Sequence, residues 1–90
     1  TGVSAQATAN FATSLGRLAN ASAIGATSLG NQSAASAVGS VALGQVAASS
    51  GENAVAIGSE SVASGLSSVA LGFQTVASGI ASTALGHNAD

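Results

Sequence analysis

Cysteine, proline, methionine, tryptophan and tyrosine are all missing from this sequence, and charge nearly so: Lys plus Arg total one and Asp plus Glu three in 90 residues. Without cysteine there is no disulfide framework and no thiolate metal site. Arg17 is the only strong cation and the net charge is −2, so the basic patch that a nucleic-acid reader needs is absent. No apolar run approaches the roughly 18 residues of a membrane-spanning helix, and no basic segment precedes an apolar stretch as in a signal peptide. Large side chains are scarce too. Hydrophobic residues make up 47%, but alanine dominates them, and Phe11 and Phe73 are the only Phe. Charged residues stand at 4%, far below the usual quarter or so. Such a chain has too little bulk for a thick core and too little charge to stay separate as a monomer. Repetition, oligomerisation and a longer parent chain are the expected remedies.

Glycine supplies the repetition. Gly2, Gly16, Gly30, Gly44, Gly58, Gly72 and Gly86 follow one another at 14-residue intervals. Leu15, Leu29, Leu43, Ile57, Leu71 and Leu85 immediately precede six of them. Before these come Ser14, Ser28, Ala42, Ala56, Ala70 and Ala84, and then Thr13, Thr27, Val41, Val55, Val69 and Thr83. The unit is [V/T]-[A/S]-[L/I]-G, in six complete repeats at 3–16, 17–30, 31–44, 45–58, 59–72 and 73–86, with a tail ending at Asp90. In mid-repeat, Ala7, Ala21, Ala35, Ser49, Ala63 and Ala77 share one position, and a second small residue, Ala or Gly, follows two later.

Each unit thus holds two short segments of alternating character, which reads as two β-strands. In Val55-Ala56-Ile57 the two large side chains point one way and Ala56 the other. A helix is disfavoured because glycine would interrupt it in every unit. Fourteen is also two heptads, but the flanks are Ser, Asn, Gln and Thr rather than the charges of a coiled coil. The predicted architecture is an all-β solenoid in which each coil hydrogen-bonds to the next about 4.8 Å away, so that six coils span on the order of 30 Å. Regular glycines serve tight turns with positive φ or close backbone approach. The Leu/Ile column is expected to form a buried ladder, with the Thr/Val column also facing a core, and the Ala columns to let the opposing layer approach. Phe11 and Phe73 are expected to pack.

Two more columns bear on partners. One reads Asn10, Ile24, Val38, Glu52, Leu66, Ile80, and another Gln6, Asn20, Ala34, Ala48, Val62, Val76. Ile24, Val38, Leu66, Ile80, Val62 and Val76 are candidates for a subunit interface or an outer face. A copy of the same chain, packed about an axis parallel to the solenoid, is the simplest partner.

Thr13-Ser14-Leu15-Gly16, Val41-Ala42-Leu43-Gly44, Val55-Ala56-Ile57-Gly58, Val69-Ala70-Leu71-Gly72 and Thr83-Ala84-Leu85-Gly86 resemble the YadA-like head of trimeric autotransporter adhesins of Gram-negative bacteria. Val62-Ala63-Ser64-Gly65 and Val76-Ala77-Ser78-Gly79 fit the same pattern, and the likeness covers 3–86. Earlier units depart from it with Ala9, Ala23 and Ala37 where later ones have glycine. The resemblance implies a left-handed parallel β-roll assembled as a homotrimer. Residues 1–90 would then be a head fragment, carried in the parent protein on a coiled-coil stalk and a C-terminal membrane anchor outside these residues. It implies a cell-surface protein that attaches bacteria to host extracellular matrix or cell-surface proteins and self-associates.

Catalysis finds little support. His87 is the only histidine, with Asp90 nearby; three copies about a trimer axis could hold an ion, but an exposed terminal residue is the plainer reading. Glu52 and Glu60 occupy different repeat positions and do not converge as an acid–base pair. No Ser-His-Asp arrangement and no phosphate loop is present. Arg17 could form a ring or a rim contact in a trimer. The sequons Asn20-Ala21-Ser22 and Asn31-Gln32-Ser33 are assigned no role. No enzyme activity, metal or cofactor is expected. A purely structural spacer within a fibre is the alternative. An ice-binding solenoid is disfavoured because Val41, Val55 and Val69 interrupt the Thr column, and a hexapeptide acyltransferase because its period and catalytic histidine are missing.

Overall fold

The computed structural model describes residues 4–87. Gly2, the start of the first repeat at residue 3, and Asp90 lie outside the described residues.

Every unit forms two strands, as the alternating segments predict. Six two-residue strands build one parallel sheet: β1 (Gln6–Ala7), β3 (Asn20–Ala21), β5 (Ala34–Ala35), β7 (Ala48–Ser49), β9 (Val62–Ala63) and β11 (Val76–Ala77). Six three-residue strands build the other: β2 (Thr13–Leu15), β4 (Thr27–Leu29), β6 (Val41–Leu43), β8 (Val55–Ile57), β10 (Val69–Leu71) and β12 (Thr83–Leu85). Each residue pairs with the one 14 later, as in Val41↔Val55 and Ala42↔Ala56. The result is an all-parallel β-solenoid measuring 31 × 21 × 10 Å. Its long dimension matches six coils at about 4.8 Å each.

Two β-turns close every coil. In the glycine turn, the N–H of Ala19 donates to the carbonyl of Gly16 (3.2 Å), and in the opposite turn that of Ala26 donates to Ala23 (3.0 Å). The third residue of each turn has positive φ, as in a type II turn: 61° at Leu18, 60° at Val46, 71° at Gly25, 59° at Asn53. This left-handed conformation keeps the hydrogen-bond ladder running through the turns. Val46 N–H donates to Asn31 O (2.8 Å) and Asn53 N–H to Val38 O (2.9 Å), each reaching the preceding coil. The regular glycines combine positive φ, +123° at Gly44, with close backbone approach. A Cβ on Gly44 would lie 2.6 Å from the carbonyl oxygen of Gly58.

The interior corrects one expectation. The buried columns are small: Ala21, Ala35, Ser49, Ala63 and Ala77 from one sheet meet Ser28, Ala42, Ala56, Ala70 and Ala84 from the other. Thr75 is the largest fully buried side chain among the described residues. The Leu/Ile column is not the core of its own coil. Leu15, Ile57 and Leu85 are exposed, Leu29, Leu43 and Leu71 half-buried, and all point outward with the Thr/Val column beside them. The cause is thickness. The whole Cα envelope, pleats and turns included, is only 10 Å deep, so the mean planes of the two sheets lie closer than the about 10 Å of ordinary stacked sheets, and only Ala, Ser and Thr fit between the layers. Strand alternation then sends every larger neighbour outside.

Buried hydroxyls are satisfied locally. Ser49 Oγ donates to Ala54 O (2.8 Å), Ser61 Oγ to Gly58 O (3.0 Å), and Ser28 and Ser33 share a bond of 2.6 Å. Ser68 Oγ accepts from Gly65 N–H at 3.1 Å. A polar interior is thereby tolerated at little cost, since each group replaces its water partner.

Candidate functional site

The described residues offer no concave pocket and no cluster of three metal-ligating side chains. What they offer is surface, divided into two faces and two edges with different chemistry.

The outer face of the three-residue sheet carries a Leu or Ile in every coil, beside Val in three coils and Thr in the other three. It consists of Thr13, Thr27, Val41, Val55, Val69 and Thr83 alongside the Leu/Ile column, with no charge and no amide. The outer face of the two-residue sheet is hydroxyl-rich. Thr8, Ser22, Ser36, Ser50, Ser64 and Ser78 are all exposed there. Beside them, Val62 and Val76 are half-buried and extend the column of Asn20, Ala34 and Ala48. This serine column was visible in the 14-residue spacing yet drew no role from sequence reasoning, because alternation alone does not say which face carries it.

At the opposite turn, Ile24, Val38, Leu66 and Ile80 are exposed, Ile80 at 78%. The glycine turn carries Arg17, Asn31, Gln45, Ser59, Phe73 and His87, with Glu60 and Gln74 beside them. Gln74 Nε2 donates to Glu60 Oε1 at 2.8 Å across one coil. Packing does not claim Phe11, which is 87% exposed, because its left-handed backbone at φ 63° throws the ring outward from a turn. Phe73 is also exposed, but its ring meets that of His87 edge-on, with centroids 5.0 Å apart. His87 is itself exposed.

The acidic residues do not come together. Glu52 sits at the opposite turn and Glu60 at the glycine turn. Arg17 is exposed at the glycine turn. Within the first sequon, Asn20 is half-buried and its Oδ1 has no hydrogen bond. The chemistry available is therefore contact through apolar, hydroxyl and amide groups along a ruled surface.

The family described as the YadA head domain repeat (2 copies) matches residues 21–47, 49–75 and 63–89, more than half of the chain. No curated protein matches it.

Proposed function

The chain belongs to the YadA head domain family, a non-catalytic β-roll adhesin module of trimeric autotransporters, and from that premise we propose how it works: as a homotrimeric head that attaches a Gram-negative cell surface to host matrix. One observation carries the assembly. The largest fully buried side chain among the described residues is a threonine, while the outer face of the three-residue sheet carries a Leu or Ile in all six coils. Such a face needs cover, and exposed apolar surface of that extent marks an interaction site. Three left-handed rolls packed about an axis parallel to their own would turn Leu15, Leu29, Leu43, Ile57, Leu71 and Leu85 into the core of the trimer. The regular glycines Gly16, Gly30, Gly44, Gly58, Gly72 and Gly86 would let the coils stack closely enough to keep that face flat. Val62 and Val76 remain on the outer side, with the serine column.

Binding to host extracellular matrix or cell-surface proteins then falls to the outer face and the edges. Each coil offers a shallow contact, and three chains per fibre with many fibres per cell supply avidity. With charged residues at 4% of the chain, those contacts are hydroxyl, amide and apolar rather than ionic. The test is adhesion of the trimer to immobilised matrix proteins. Retention that changes little between low and high salt supports the reading. Retention abolished by moderate salt contradicts the contact chemistry. A trimer that binds no matrix protein or cell moves the segment to the second reading, a spacer that only lengthens the fibre.

A further inference from the structure

The outer face of the two-residue sheet holds one column whose chemistry does not change. Thr8, Ser22, Ser36, Ser50, Ser64 and Ser78 stand 14 residues apart, one hydroxyl in each coil, and all are exposed. The exposed turn columns drift instead. One runs through Arg17, Asn31, Gln45, Ser59 and Phe73, and the opposite one mixes Asn10 and Glu52 with Ile24 and Ile80. Neither folding nor solubility accounts for a constant hydroxyl. Extended backbone favours β-branched side chains over serine, and any amide or charge would keep the surface wet. The buried hydroxyls are engaged within the roll, as Ser49 with Ala54 O and Ser61 with Gly58 O. None of the six outer ones makes a side-chain hydrogen bond.

The line is held straight by the ladder. Ser22 and Ser36 donate their backbone N–H groups to the next coil at 3.1 Å, and Ser50 and Ser64 at 3.0 Å. The hydroxyls are therefore stepped at the coil spacing of about 4.8 Å, roughly 24 Å from first to last. Each can donate and accept. Two residues earlier, and so on the same face, lie Ala34, Ala48, Val62 and Val76, half-buried and apolar. No charge stands on this face among the described residues: Arg17 and Glu60 are at the glycine turn and Glu52 at the opposite one. An occupant of the whole line must be neutral, extended, able to donate and accept at every step, and repeat at nearly the coil spacing. A protein strand laid along the roll has same-side groups about 6.8 Å apart and slips out of register within two coils. A linear chain of pyranose sugars joined by equatorial β-1,4 bonds does not. One sugar advances by close to one coil step, hydroxyls line its edges, and its ring faces carry C–H groups that suit the alanine and valine column.

We propose that the outer hydroxyl column binds a neutral, linear β-1,4-linked polysaccharide laid parallel to the roll axis, one sugar to each coil. The proposal rests on the adhesin reading in one respect: the Leu/Ile face is covered elsewhere, so the hydroxyl face looks outward from each of three chains. Without a concave pocket among the described residues, each coil contributes little. Affinity comes from several coils engaged in register and from three faces per head. Contacts made without charge leave retention insensitive to salt.

Co-sedimentation of the folded chain with insoluble cellulose, chitin and starch tests this. Cellulose and starch are built from the same sugar, but α-linked starch coils and cannot follow a straight line of hydroxyls. The expected result is retention on cellulose or chitin and none on starch. Ser50→Ala should weaken retention about fivefold, the effect of one net hydrogen bond. Ser36→Ala/Ser50→Ala/Ser64→Ala should abolish it with the β-sheet spectrum unchanged. Ser36→Thr/Ser50→Thr/Ser64→Thr, which keeps the hydroxyls as Thr8 does, should retain it. No retention on either cellulose or chitin overturns the proposal. So does equal retention on starch, or retention undiminished in the triple alanine variant. A head that fails on the polysaccharides yet holds immobilised matrix proteins overturns this inference alone. One that holds cellulose or chitin but no matrix protein or cell keeps this inference and overturns the attachment to host proteins.

Discussion

Replacing Gly44 by alanine should damage the roll far more than the same change at Gly25, although both glycines have positive φ. At Gly44, φ is +123° and the added Cβ would sit 2.6 Å from the Gly58 carbonyl oxygen and 2.7 Å from its carbon. Both are backbone atoms, held by the bond from Gly58 N–H to Leu43 O at 2.7 Å. Relief requires the coils to part and the ladder to stretch. The backbone conformation costs an L-residue about 1–2 kcal/mol and the overlap about 1–3 kcal/mol more. At Gly25, φ is +71° and nothing lies nearer than 4.0 Å to the added Cβ. Ala81 already occupies the equivalent position with φ 58°. The cost there is about 1 kcal/mol or less, because alanine also restricts the unfolded chain. Thermal denaturation followed by circular dichroism, at one fixed protein concentration, reads the difference. A loss of 1 kcal/mol lowers Tm by about 4–8 °C in a chain of this size, so Gly44→Ala should lose on the order of 15 °C or more. Gly25→Ala should lose a few degrees. Equal losses in the two variants would refute the claim that close approach of coils, rather than turn conformation alone, fixes the 14-residue glycine.

The interior should reject bulk: Ala56→Leu, at a position with no solvent exposure between two sheets, should lose about 3 kcal/mol or more in urea unfolding, beyond ordinary overpacking. Ser33→Ala should cost about 1–2 kcal/mol by leaving the Ser28 hydroxyl without the partner it has at 2.6 Å. The double change Ser28→Ala/Ser33→Ala should recover most of that loss, since Ala42 and Ala47 fill the same two positions one coil on; a double variant weaker than the single would refute the pairing argument. Leu43→Asp on the apolar sheet face should dissociate the assembly, as seen by light scattering, and an unchanged mass would show that this face is not the one covered.

The solenoid was legible in the sequence because its two signals, a 14-residue glycine period and strand alternation, are local and repeated. Pairing in register, the two strands per coil and the length follow from them directly. Which side of each strand faces inward was not legible. Alternation shows that Val55 and Ile57 share a side and Ala56 takes the other, but it does not say which side is inside. Habit puts the larger residues in; the 10 Å thickness puts alanine in. The decisive fact, that the two sheets approach closely, appears only once both are present. Turn chemistry was half legible. Gly25, Gly39 and Asn53 betray a left-handed position, but Leu18, Val46 and Glu60 adopt the same conformation with no favourable propensity of their own. Val46 and Glu60 are held there by hydrogen bonds from their N–H groups to the preceding coil, Val46 to Asn31 O and Glu60 to Gln45 O, both at 2.8 Å.

In the trimeric reading, the Leu/Ile face left uncovered by a core of alanine and serine is covered by two further copies of the chain. Sedimentation equilibrium across a wide dilution range tests it most directly. The expected result is a stable species of three times the 8.2 kDa chain mass at low micromolar concentration. A folded species of one chain mass at every concentration, with its β-sheet spectrum intact, would contradict it.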